Sequence, residues 1–97
     1  MKKAVIYVRG QKEEMQEIFC RVYASDKGYK VLLVTTDLND VKNCDILLVA
    51  NPSRISRNRI EYQIIVNKLK KKGIEIESVS SQENVEEILW LTQELMK

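Results

Sequence analysis

Three arginines in one short segment are the residues of this sequence best suited to chemistry on an anion. Arg54, Arg57 and Arg59 lie within six residues of one another, soon after the apolar run 46–50. A short apolar run bounded by turn residues is typical of a strand buried on both faces of a parallel sheet. Pro52 ends that strand because proline has no N–H to donate to a neighbouring strand. The arginines therefore follow the carboxyl end of a predicted strand.

The carboxyl ends of parallel strands are where α/β proteins usually bind ligands. Arg9 ends the first predicted strand (residues 3–8) in the same way, so it can share a pocket with the later arginines. Arg54 and Arg57 are three residues apart at the predicted opening turn of a helix, where backbone amides also favour an anion. Together they predict a phosphate-binding pocket. A solvated loop face is the alternative interpretation of the same charges.

Charge is unevenly distributed along the chain. Residues 52–72 contain seven basic residues and one acid, Glu61, which makes this segment +6 while the whole chain is +2. A basic surface of that size supports phosphate contacts. The four lysines of residues 68–72 have a second explanation, because cations at a helix C-terminus complement the helix dipole.

Composition excludes several classes of function. The chain has no histidine, and its two cysteines, Cys20 and Cys44, form no CxxC pair. Zinc sites, histidine-based acid–base catalysis and Ser-His-Asp hydrolysis are therefore not expected, and we predict no metal and no cofactor. The apolar runs are too short for a membrane span or a signal peptide. Ninety-seven residues suit one small domain (1–97), which we expect to be cytoplasmic with reduced thiols.

The pattern of elements predicts an α/β fold. Strands are expected at 3–8, 29–35, 46–50 and 74–79. An amphipathic helix is expected from about Lys12 to a stop at Lys27-Gly28. A second helix should run from Ser53 or Ser56 to about Lys72, and a third should follow Ser80. Residues 36–44 are too short and polar for a crossover helix. This order indicates a small three-layer fold, a mostly parallel four-stranded sheet with about three helices. Trp90 and Leu91, off the main stripe of the last helix, are candidates for a partner surface.

Four short motifs occur in an order that points to a known family. They are YVRGQ at 7–11, CRVYA at 20–24 with DKGYKV at 26–31, SRISR at 53–57, and KGIEI at 72–76. In these motifs the chain resembles the N-terminal catalytic domain of the serine recombinases, the resolvase/invertase family. The resemblance covers nearly the whole chain and implies a resolvase catalytic-domain-like fold.

This resemblance implies chemistry on DNA. In the family, a serine hydroxyl attacks a DNA phosphodiester to form a phosphoserine link, while arginines neutralise the pentacoordinate phosphate. Arg9, Arg54 and Arg57 stand at arginine positions of the family, and Gln16 stands where the family often has an active-site glutamine. The candidate phosphate- or DNA-binding residues are therefore Arg9, Gln16, Arg54, Arg57 and Arg59.

The departures from the family pattern argue against strand cleavage. Gln11 occupies the nucleophile position, and an amide cannot form the phosphoester intermediate. No serine or threonine lies between Arg9 and Tyr23, and Ser53 replaces the aspartate that precedes the first arginine of the SRISR motif in the family. The segment 36–44 is shorter than in active members, and no helix-turn-helix or zinc-ribbon domain follows. We therefore predict a pseudoenzyme in which no residue is assigned as catalytic.

The sequence leaves three functions open. The first is a DNA-binding, non-cleaving recombinase domain that acts as a regulator or persists as a remnant. The second is a non-enzymatic interaction module that forms a homodimer or docks on a full-length recombinase through Trp90 and Leu91. The third, a small enzyme acting on a phosphorylated metabolite, ranks last because the chain has no glycine-rich phosphate loop.

Overall fold

A four-stranded sheet with one helix on each face forms the framework of residues 1–79, the part of the chain that the computed structural model describes. The elements are β1 (Lys3–Tyr7), α1 (Glu13–Lys27), β2 (Lys30–Thr35), β3 (Ile46–Val49), α2 (Arg59–Lys71) and β4 (Glu75–Ser78). The strand order is β2-β1-β3-β4, and all three strand pairs are parallel. The predicted α/β sheet is confirmed. The predicted third helix lies outside the described residues.

The two central strands are buried on both faces, as the apolar run at 46–50 predicted. Along each of them, alternate side chains enter opposite cores, as strand geometry requires. The core on the α1 side includes Ala4, Ile6, Ile46 and Leu48, and the core on the α2 side includes Val5, Tyr7, Leu47 and Val49. Because β1 and β3 are held by packing on both sides, the loops that follow them start from rigid supports.

The chain path opens a crevice between the loops after β1 and β3. It leaves β1 through α1 to β2 at one edge, and then crosses back to β3 on the other side of β1. This return contains a 3₁₀ turn at Leu38–Asp40 and no α-helix, as predicted. Val41, which is buried, fills part of the core on the α2 side from this connection. Since β1 and β3 are adjacent but continue to opposite edges, their carboxyl ends form the usual ligand crevice of an open parallel sheet.

The buried face of α1 differs from the face that its apolar spacing predicted. Apolar spacing predicts a buried stripe of Met15, Ile18, Phe19, Val22 and Tyr23. The exposed fraction is 46% for Met15, 52% for Ile18 and 65% for Val22, and only Phe19 and Tyr23 of this stripe are half-buried. The fully buried residues of the helix are instead Gln16, Cys20 and Ala24. Cysteine and alanine are small, so this face can approach the sheet closely, which leaves the larger apolar side chains of the adjacent face outside.

The second helix begins later than predicted. Residues Pro52–Arg54 form a 3₁₀ turn, and α2 starts only at Arg59, where the side chain of Asn58 caps it by accepting a hydrogen bond from the Glu61 N–H at 3.1 Å. The prediction that Arg54 and Arg57 occupy the opening turn of a helix is therefore wrong. Proline and asparagine in this segment favour local turns over a continuous helix.

A tyrosine pair ties the end of α1 to the edge strand β4. The hydroxyls of Tyr23 and Tyr29 both donate to the Glu77 carboxylate, at 3.0 Å each. Burial, together with this hydrogen bond, raises the pKa of Tyr23 to about 12. The cluster joins segments from opposite ends of the strand order and so stabilises the α1 layer across the sheet.

No helix among residues 1–79 is long and apolar enough to cross a membrane.

Candidate functional site

A cleft of about 350 Å³ lies in the crevice between the loops that follow β1 and β3. Its lining residues are Arg9 and Gly10 from the first loop, Ser53, Arg54, Ser56 and Arg57 from the second, and Glu61 from the first turn of α2. The structure thus brings Arg9, Arg54 and Arg57 together in one cleft. Three guanidinium groups around one opening create a site suited to an anion with several oxygens.

The loop after β1 is held from below by one buried amide. The Gln16 side chain accepts a hydrogen bond from the Arg9 N–H at 3.1 Å, and its NH₂ donates to the carbonyls of Arg9 at 2.9 Å and Gln11 at 2.8 Å. Gln16 itself is completely buried. These contacts supply the partners that the loop backbone needs away from water. Gln16 therefore positions Arg9 and does not itself line the cleft.

The loop after β3 is held by a side-chain turn and an apolar anchor. The buried Asn51 carboxamide oxygen accepts hydrogen bonds from both the backbone N–H and the hydroxyl of Ser53. Ile55 is completely buried in the core on the α2 side. With Ile55 inserted into the core, Arg54 and Arg57 on either side of it are presented to the cleft. The buried Ile55 side chain thus fixes the orientation of the loop, with its two arginines lining the cleft.

The two loops touch at Gly10. A Cβ atom added to Gly10 would lie 3.2 Å from Arg54 Nη1, and the φ angle of Gly10 is +85°. Only glycine adopts that backbone conformation readily. The absence of a side chain thus lets the half-buried Arg54 guanidinium lie directly against the first loop, which sets the separation of the arginines across the cleft.

The hydroxyl groups of the cleft are engaged in local turns. Ser53 Oγ donates to the Asn51 side chain, and Ser56 Oγ accepts from the Asn58 N–H at 3.0 Å while lying 3.2 Å from the Asn58 carbonyl. Gln11, which the sequence resemblance places at the family's nucleophile position, is exposed. Cys44 lies at the amino end of β3, away from the cleft, and burial together with the nearby Asp45 carboxylate raises the pKa of its thiol.

The remaining predicted site residues lie elsewhere. Arg59 begins α2 and lines a separate surface pocket with Ile60, Gln63, Ile64 and Asn67. Trp90 and Leu91 lie outside the described residues. DNA contact by Arg59 stays a prediction, and so does a partner contact by Trp90 and Leu91.

Two residues of the site were missed by sequence reasoning. The sequence interpretation gives Asn51 no role, although Asn before Pro and Ser is a signal for a side-chain turn. Glu61 was counted only as an isolated acid. Its position three residues after an asparagine cap, a common arrangement at helix starts, could have placed it in the first turn of α2.

Comparisons with known proteins agree with this geometry. The profile of the family described as "Resolvase, N terminal domain" matches residues 4–93. The fold is similar to that of the C-terminal catalytic domain of ISC1926 TnpA, an IS607-like serine recombinase, with TM-score 0.66, 26% identity, and coverage of 96% of this chain and 82% of that chain. It is also similar to the N-terminal catalytic domain of TP901-1 integrase, with TM-score 0.70, 19% identity, and coverage of 98% and 95%.

A search of curated protein sequences gave no significant match. The profile match nevertheless spans most of the chain, and it includes both cleft loops. The chain therefore belongs to the resolvase N-terminal domain family, the catalytic domain of the serine recombinases.

Proposed function

We propose that this domain binds the phosphate backbone of DNA in the arginine cleft without cutting it. The observation that carries the proposal is the convergence of Arg9, Arg54 and Arg57 on one cleft. The sequence resemblance supports the lack of cleavage, because it places Gln11 at the family's nucleophile position. Domains of this family typically bind DNA and dimerise. The phosphates of a DNA backbone are anions that arginine side chains commonly contact. The cleft offers such arginines from two separate loops.

The side chains that could act as a nucleophile are poorly suited to that role. Gln11 has an amide, which cannot form a phosphoester. Ser53 and Ser56 hold their own loop through hydrogen bonds to Asn51 and Asn58. An attack by either serine would require breaking a turn that shapes the site. Loss of a covalent nucleophile commonly costs several orders of magnitude in rate.

A covalent-adduct assay tests this proposal. The purified protein is incubated with an end-labelled pool of duplex DNA and then run on a denaturing gel, with an active serine recombinase on its own substrate as the positive control. We expect no slow-migrating adduct from this chain, because no phosphoserine link can form at Gln11. The same DNA pool under native conditions should be retarded.

An adduct that survives denaturation would overturn the non-cleaving assignment. Ser53→Ala and Ser56→Ala would then show which hydroxyl forms the link, because only the responsible substitution abolishes it. If neither an adduct nor a retarded band is seen, the proposed DNA binding is contradicted.

A second function, self-association or docking on a full-length recombinase, is favoured by the exposed apolar stripe on α1. Met15, Ile18 and Val22 place about half or more of their surface in water, and apolar groups clustered in this way often mark a protein–protein contact. Trp90 and Leu91 are further candidates for such a contact from the sequence alone. This function is compatible with DNA binding in the cleft.

Sedimentation velocity separates the two interface candidates. If the α1 stripe is the contact, Ile18→Glu shifts the dimer–monomer equilibrium by about tenfold or more towards monomer, because a charge is then buried in the interface. Glu17→Gln, on the same helix, is the control and should leave the equilibrium unchanged. Trp90→Ala tests the other candidate. A wild-type chain that remains monomeric at all accessible concentrations would contradict self-association.

A further inference from the structure

Gly10 differs from the other glycines of the chain in what its missing side chain leaves room for. A Cβ atom added at Gly10 would lie 3.2 Å from Arg54 Nη1, which is closer than an ordinary van der Waals contact. Gly28 and Gly73 also have positive φ angles, +75° and +76°, but a Cβ atom at either would meet no atom within 4 Å. Only at Gly10 is the space of the side chain taken by another residue, and that residue is an arginine of the cleft.

The Arg54 side chain reaches this space from a fixed backbone. The Arg54 N–H donates to the Asn51 carbonyl at 3.1 Å, and the next residue, Ile55, is completely buried. The Nε atom of Arg54 is buried as well, whereas Arg9 and Arg57 are exposed. A guanidinium with a fixed stem and the first loop directly beside it has few alternative positions. It is therefore preorganised for its ligand, which reduces the entropic cost of binding.

We infer that Gly10 is the positioning residue of Arg54, because the room it leaves determines where the Arg54 guanidinium lies in the cleft. The inference rests on the proposed DNA-phosphate binding. Arg54 makes further contacts in the structure, so Gly10 leaves room for the guanidinium and does not hold it. Recognition of phosphate by arginine depends on the direction of its N–H groups as well as on charge. A side chain at position 10 should therefore weaken DNA binding although the net charge stays the same.

Two glycine variants test this role by fluorescence anisotropy with a labelled DNA duplex at fixed salt. Gly10→Ala is expected to weaken binding by about three- to tenfold, because the added Cβ displaces the preorganised guanidinium. Gly28→Ala is the matched control. It also places a Cβ on a backbone with positive φ, but far from any other atom, and should change affinity by less than about twofold.

The same comparison in an Arg54→Lys background separates the contact from backbone strain in the first loop. Lysine keeps the positive charge but has no Nη atoms for the added Cβ to meet. In this background, Gly10→Ala should change affinity by less than about twofold. A loss as large as in the wild-type background would mean that strain in the first loop is responsible, and it would overturn the inference.

A ¹H–¹⁵N correlation spectrum of the free protein provides a readout that needs no DNA. The Nε–Hε signal of Arg54 is assigned by its absence from the spectrum of Arg54→Lys. Gly10→Ala should shift this signal, and Gly28→Ala should leave it in place. The remaining signals show whether each variant is folded. If Gly10→Ala does not fold, Gly10→Asn takes its place, because asparagine tolerates a positive φ better than alanine does.

The outcomes separate this inference from the proposed function. Arginine-dependent DNA binding with equal affinities for the two glycine variants would overturn the role of Gly10 and leave the proposed function standing. If the wild-type chain binds no DNA, the proposed function fails and the spectrum decides the inference. An Arg54 signal that moves only in the position 10 variant would then support it, and a signal that stays in place would overturn it.

Discussion

Replacing Arg54 and Arg57 together by glutamine is expected to weaken binding to duplex DNA by about 10- to 100-fold at moderate salt. Both side chains line the cleft from the loop after β3, and Arg54 also lies against Gly10 of the facing loop. Each guanidinium that contacts a phosphate releases a counterion when it binds. The slope of log affinity against log salt should therefore fall by about two for the double variant.

The matched control removes the same charge at the far end of α2. Lys70→Gln/Lys71→Gln changes two basic residues in the last turn of that helix, roughly 18 Å along the axis from its start. We expect this variant to lose much less affinity. An equal loss, with an equal change in salt slope, would mean that DNA responds to overall charge and that the cleft has no special role.

The second large effect is expected at Gln16, on the stability of the protein. Gln16→Leu keeps the approximate size of the side chain but removes three part-buried hydrogen bonds, so that backbone groups of Arg9 and Gln11 lose the partner that the buried amide provides. Unpaired buried polar groups cost about 1–3 kcal/mol each, and part of this cost is recovered by relaxation or water entry. We expect the free energy of unfolding to fall by about 2–4 kcal/mol in urea titrations followed by circular dichroism.

Gln63→Leu is the matched control for that experiment. Gln63 is an exposed glutamine on α2 whose amide reaches only the Asn67 side chain, at 3.3 Å. Its replacement should change stability by less than about 0.5 kcal/mol. If both glutamine variants unfold at the same urea concentration, the buried amide does not hold the Arg9 loop. In that case Gln16 would have to be reconsidered as a direct ligand of the phosphate.

The DNA affinity of the Gln16→Leu variant tests whether Gln16 acts on DNA binding only through Arg9. Because Gln16 lies beneath Arg9 and outside the cleft lining, its loss should weaken DNA binding only through the position of Arg9. In a chain in which Arg9 is already replaced, Gln16→Leu should therefore change DNA affinity only slightly.

Much of the fold could be predicted because local signals and the global arrangement agree. The apolar runs of β1 and β3 are long enough to indicate buried strands, and glycines at positions 28 and 73 mark the ends of the two helices. The meeting of Arg9 with Arg54 and Arg57 was also predictable. Parallel strands all end at the same edge of a sheet, so residues that follow adjacent strands are brought close together.

The packing of the helices could not be predicted in the same way. Apolar periodicity in α1 favours a face that includes Met15, Ile18 and Val22, which the structure leaves exposed. The small residues Cys20 and Ala24 instead allow the closest approach to the sheet. Periodicity records which side chains are apolar. It does not record which face fits the surface opposite, because that depends on the shapes of both partners.

The sequence by itself determined the class of this protein: a parallel α/β domain of the resolvase family, with cationic residues at adjacent strand ends. Only the tertiary structure decided how the cleft is built, with Gln16 beneath one loop, Ile55 anchoring the other, and Glu61 in the cleft lining. The physical reason is that strands and residue types can be recognised from residues that are neighbours in the sequence. The partners of a buried amide or a cleft carboxylate are set by contacts between segments distant in sequence.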